Sequence, residues 1–133
     1  MKRDIQGRED IEQLIKTFYT KLLEDRLLSP IFLEVAQIQL SDHLPLLYDF
    51  WESLLFQAGK YQGNAMKVHL DLHQKQRLKS IHFDRWLALF NTTTDELFEG
   101  DKAEMAKTRA LSIAQIIKMK IDYFEKSRLE LGN

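Results

Sequence analysis

The sequence predicts an all-α fold of three or four long helices joined by shorter ones. Apolar residues recur at spacings of three and four along most of the chain. No segment shows the strict alternation of a half-buried strand. Five glycines and two prolines are the only strong breakers in 133 residues, and all but Pro45 fall between the periodic segments. A chain of this length, 44% hydrophobic, can bury one core, so a single domain over residues 1–133 is expected.

Between Asp10 and Leu23 the apolar positions are Ile11, Leu14, Ile15, Phe18, Tyr19, Leu22 and Leu23, one face of an amphipathic helix. Ser29-Pro30 is expected to stop it and to begin a short turn carrying Ile31, Phe32 and Val35. A second long helix should start near Ser41 or Asp42, with Pro45 tolerated in its first turn. Its apolar residues Leu44, Leu47, Tyr48, Phe50, Trp51, Leu54, Leu55 and Phe56 cover more than one face, which predicts burial on two sides. Gly59 and Gly63 bracket a loop, and a short segment from about Ala65 to His73 follows. Phe83, Trp86, Leu87, Phe90, Leu97 and Phe98 mark a third helix, ended by Gly100. Asp101 and Glu104 have the spacing of a capping box for a last helix, which runs to about Leu129.

Composition removes several kinds of function. With 19 Lys+Arg against 20 Asp+Glu, the net charge of −1 argues against a nucleic-acid binder held by bulk electrostatics. No apolar run approaches the ~18 residues of a membrane span, and Met1-Lys2-Arg3-Asp4 leads into charged sequence instead of a secretory signal. A cytoplasmic location is therefore expected. The absence of cysteine excludes disulfide scaffolds, thiolate metal sites and cysteine nucleophiles. No phosphate-binding glycine loop or HExxH zinc pair occurs either.

Four histidines are left to carry chemistry. His43 falls in the first turn of the second helix, His69 and His73 lie one helical turn apart on the short segment, and His82 precedes Phe83. On residue type alone each reads as a surface or capping histidine. His69 and His73 have the spacing of a two-histidine metal clamp, but no carboxylate at a fitting position completes it.

A longer string of residues carries further information. It comprises Phe18-Tyr19, Ser29-Pro30-Ile31-Phe32, Asp42-His43-Leu44-Pro45, Asp49-Phe50-Trp51, Tyr61-Gln62-Gly63, Met66-x-x-His69-x-x-Leu72-His73 and His82-Phe83-Asp84-Arg85-Trp86-Leu87-Ala88-Leu89-Phe90. In order and spacing, over most of the chain, this resembles the third group of the truncated haemoglobins. The resemblance implies a two-over-two helical sandwich around one haem b. It makes His69 the proximal iron ligand, since a neutral imidazole nitrogen suits haem iron. It implies polar distal groups at Tyr19, Trp86 and His43, and apolar walls at Phe32, Leu47, Phe50 and Trp51. Met66, Leu70, Leu72 and Phe83 would line the proximal side, with His73 near a haem propionate.

Such a protein would bind dioxygen, carbon monoxide or nitric oxide. Two neutral donors, each worth roughly 0.5–1.5 kcal/mol, would slow oxygen release by about ten- to a hundred-fold. That favours sensing, detoxification or redox chemistry over bulk oxygen transport. Nitric-oxide dioxygenation or peroxide reduction would require an external reductase, because the chain has no flavin or nicotinamide motif. The rival reading from the residues alone is a haem-free helical interaction module in which His69 is structural.

Overall fold

The computed structural model describes residues 2–31, 40–56 and 79–131. Among them are four α-helices and no strand: α1 (Arg8–Glu24), α2 (Leu40–Phe56), α3 (Ser80–Leu97) and α4 (Asp101–Leu131). The main pairings are α1 with α2, α1 with α3, α4 with α2 and α4 with α3. Each outer helix in sequence thus crosses both inner ones, a two-over-two arrangement. No helix among the described residues is long and apolar enough to cross a membrane.

The periodicity of α1 becomes its buried face: Ile11, Leu14, Ile15, Phe18, Tyr19 and Leu22 all enter the core. Fully burying side chains of this size stabilises by about 1.5–3 kcal/mol each, so this stripe outweighs the helix's surface charges. The helix ends at Glu24, well before Ser29-Pro30, which corrects the expected stop. The cause is Asp25, whose backbone is extended and whose carboxylate accepts hydrogen bonds from the Leu27 and Leu28 amides, both at 3.1 Å. A short polar side chain offers those amides a partner that the helix would otherwise have to supply. Ser29 and Pro30 do begin a new helical turn.

In α2, Pro45 lies inside the helix rather than in its first turn, because the helix begins at Leu40. Tyr48, Trp51 and Leu55 are buried, and Leu44, Leu47, Phe50, Leu54 and Phe56 pack at the edge of the same core. The wide apolar face predicted from sequence meets α1 on one side and α4 on the other. The segment from 57 to 78, including the predicted loop and short helix, lies outside the described residues.

The expected Asp101–Glu104 capping box is not what starts α4. Asp101 is already the first helical residue, and Glu104 N–H bonds the Gly100 carbonyl at 3.0 Å. The cap comes from the other end of the sequence: the Asp4 carboxylate accepts from the amides of Lys102 (2.8 Å) and Ala103 (2.9 Å). These are donors that a helix start leaves without an internal partner.

Polar links tie the helices together at their margins. Arg8 of α1 meets Asp49 of α2 at 2.6 Å and Glu52 at 3.3 Å. Arg85 of α3 meets Asp25 at 2.6 Å, Lys107 of α4 meets Asp95 of α3 at 2.7 Å, and Lys102 Nζ donates to the Leu55 carbonyl at 2.7 Å. Exposed ion pairs contribute roughly 0–1 kcal/mol. They set register while the apolar interior supplies the stability.

Candidate functional site

The densest chemistry among the described residues is an aromatic cluster where α1, α2 and α3 meet. Phe18 stands at its centre. Its ring makes edge-on contacts with Tyr19 (5.2 Å), Trp86 (5.6 Å) and Phe90 (5.2 Å), at interplanar angles of 77°, 82° and 84°. Phe90 is in turn sandwiched: Trp51 stacks on it at 4.8 Å and 20°, and Trp86 at 5.8 Å and 15°. Phe50 abuts Trp51 at 5.7 Å. Edge-on and offset stacks are the arrangements that ring quadrupoles favour.

Helical spacing explains how these rings converge. Phe18 and Tyr19 sit mid-α1 on its buried stripe, and Trp86 and Phe90 are one turn apart on α3. Trp51 enters from the α2 face that also carries Tyr48 and Leu55.

Two polar groups are set into this apolar wall. Tyr19 is 7% exposed, and burial pushes its phenol well above the ordinary value. It therefore stays protonated throughout the neutral range. The half-buried Trp86 carries an indole N–H, which donates and never accepts.

Tyr19, Leu47, Phe50, Trp51 and Trp86 pack in one cluster. Phe83 belongs to a second apolar cluster with Ala114, Ile117 and Ile121, and Trp86 and Ile113 pack against both clusters. His43 lies on α2, with its side chain outside the described part of the structure. Phe32, Met66, His69, Leu70, Leu72 and His73 lie outside the described residues.

Phe18 and Phe90, the two rings that touch most of the others, stand in the matched string but received no site role from sequence. A phenylalanine on a helical stripe reads as ordinary core. Their signal was positional: Phe18 adjoins Tyr19, and Phe90 follows Trp86 by one turn.

His82 is buried and serves the start of α3. Its Nδ1 accepts from the Lys79 amide at 2.8 Å, while its own amide donates to the Lys79 carbonyl at 3.0 Å. Burial first, and then the charge of Lys79, lowers its pKa below the usual histidine value.

The model of the bacterial-like globin family matches residues 3–121 of this chain. A curated relative, the group 3 truncated hemoglobin ctb of Campylobacter jejuni, is 29% identical over 117 residues, covering 86% of this chain and 90% of the relative. The crystal structure of a group III truncated hemoglobin from the same species superposes with a TM-score of 0.79 at 27% identity, over 91% of this chain and 95% of the other. The structure of Chlamydomonas reinhardtii THB1 shares the fold, with a TM-score of 0.66 at 23% identity, over 84% of this chain and 89% of that one.

Proposed function

Because the chain belongs to the bacterial-like globin family, we propose that it binds one haem b and reversibly holds a diatomic ligand, dioxygen, carbon monoxide or nitric oxide. The whole of residues 1–133 serves as the haem-binding domain in this reading. The residues present fit such a group: a flat apolar ring system suits the Phe18–Trp51–Phe90 wall, and the two donors set into that wall suit a ligand that gains negative charge. Haem supplies the iron position at which the diatomic ligand is held.

The chain's own residues do the rest. His69 is the iron ligand, by its place in the matched string of residues. Tyr19 donates its phenol proton's hydrogen bond to the ligand and keeps that proton, because burial disfavours the phenolate. Trp86, packed edge-on against Phe18, donates from its indole N–H. His43 governs ligand entry from the α2 side, and His73 meets a haem propionate. Phe32, Leu47, Phe50 and Trp51 exclude water on the ligand side, and Met66, Leu72 and Phe83 serve on the His69 side.

The observation that carries the reading is that the buried Tyr19 ring and the Trp86 indole both pack edge-on against one phenylalanine, Phe18. Slow oxygen release follows, which suits sensing, detoxification or redox turnover fed by an external reductase. The test is the absorption spectrum of the purified protein, before and after haem addition. A Soret band in the parent, lost in His69→Ala and recovered with added imidazole, is expected. No Soret band after haem addition would replace this reading with a haem-free helical interaction module.

A further inference from the structure

The ion pair between Arg85 and Asp25 has a location that its surface chemistry alone does not explain. Arg85 immediately precedes Trp86 on α3, and Asp25 closes the helix that carries Tyr19. Arg85 Nε donates to Asp25 Oδ1 at 2.6 Å. The other Asp25 oxygen, Oδ2, receives the Leu27 and Leu28 amides. The Asp25 side chain is only 6% exposed, against 49% for Arg85. A carboxylate so buried, with every oxygen engaged, is held in one geometry and cannot follow a wandering partner. Its half-exposed guanidinium partner is held to that fixed carboxylate by one hydrogen bond. One link therefore joins the end of the Tyr19 helix to the backbone beside Trp86, and the Tyr19 and Trp86 rings both pack edge-on against Phe18.

We propose that Arg85, through Asp25, is the positioning residue that sets how Tyr19 and Trp86 pack around the Phe18 ring. This rests on the reading of Tyr19 and Trp86 as paired donors to a diatomic ligand. Arg85 touches no ligand itself. It acts by keeping α3 from sliding or rotating against α1, and a small displacement of a donor is enough to lose a hydrogen bond.

The test uses the full chain labelled with fluorotryptophan. The chain has two tryptophans, so fluorine NMR gives two resonances, assigned through Trp51→Phe. In the haem-free protein, Arg85→Gln is expected to shift and broaden the Trp86 resonance more than that of Trp51. Arg85→Lys, which keeps a charge able to reach Asp25, should restore most of the parent spectrum. In the haem-loaded protein, the carbon monoxide stretching band is expected to broaden or split in Arg85→Gln, with oxygen release faster by about two- to ten-fold.

An unmoved Trp86 resonance in Arg85→Gln would overturn the proposal. So would a carbon monoxide band that responds to Tyr19→Phe but not to Arg85→Gln. If Trp86 moves as expected while neither Tyr19→Phe nor Trp86→Phe alters the band, the positioning role stands and the donor reading falls.

Discussion

Asp4 leaves no room for a side chain at Gly100. A Cβ placed on Gly100 would lie 2.5 Å from Asp4 Cγ, and the Gly100 backbone has φ +145°, a region that L residues rarely adopt. Close approach is the condition for the cap, since only then does the Asp4 carboxylate reach the Lys102 and Ala103 amides. Gly100→Ala is therefore expected to destabilise the protein by about 1–3 kcal/mol, read as a lower urea midpoint. Asp4→Ala, which removes the cap without the strain, should cost about 1 kcal/mol. The two losses should fall short of additive in the double variant, because they disrupt one contact.

The two proposed donors are separable by ligand. Tyr19→Phe and Trp86→Phe each remove one donor while keeping most of the apolar volume. Each should speed oxygen release by about two- to twelve-fold, the equivalent of one neutral hydrogen bond. Carbon monoxide is less polar when bound, so its release should change less. Stopped-flow displacement measures both, and unchanged oxygen release in both variants would remove the polar pocket from the account.

His43 is expected to gate entry. It sits near the start of α2, three residues into the helix, where side chains are less firmly held than at mid-helix. His43→Leu should alter the association rate more than oxygen release. A large rise in oxygen release at constant association rate would make His43 a direct donor instead.

His82 gives the fold a pH dependence of its own. Its pKa is lowered in the folded state by burial and then by Lys79, so the unfolded chain takes up this proton at a higher pH. The folded protein keeps its full stability above the ordinary histidine value. It loses part of it as pH falls from about 6.5 through the lowered value, and the loss then levels off. In His82→Gln, glutamine can still accept the Lys79 amide bond from the same helix position but does not titrate. That variant should show a flatter urea midpoint between neutral and mildly acidic pH, measured on the haem-free protein.

The fold was legible where it rests on local periodicity. The α1 stripe from Ile11 to Leu22 and the α3 residues Phe83, Trp86 and Phe90 all lie where their spacing placed them. The ends of the helices were not. Asp25 terminates α1 by a side-chain contact that competes with proline as a stop signal, and α4 begins under a cap supplied from Asp4, a partner that no local window contains. In the site, Tyr19, Trp51 and Trp86 drew notice because their polar atoms or size are unusual on an apolar stripe. Phe18 and Phe90 have no such mark, and only packing reveals that they space the others.

The N-terminal residues also bear on the order in which the molecule can assemble. Lys2 reaches the Asp95 carbonyl, the Arg3 carbonyl accepts from the Glu99 amide, and Asp4 holds the first turn of α4. On a ribosome these partners emerge some ninety or more residues after the segment they secure. Residues 2–4 are thus fastened late, and α1 and α2 can meet before those contacts form. Closing so long a loop late costs chain entropy that grows only slowly with its length, so the delay falls on the timing of folding more than on the stability of the finished protein.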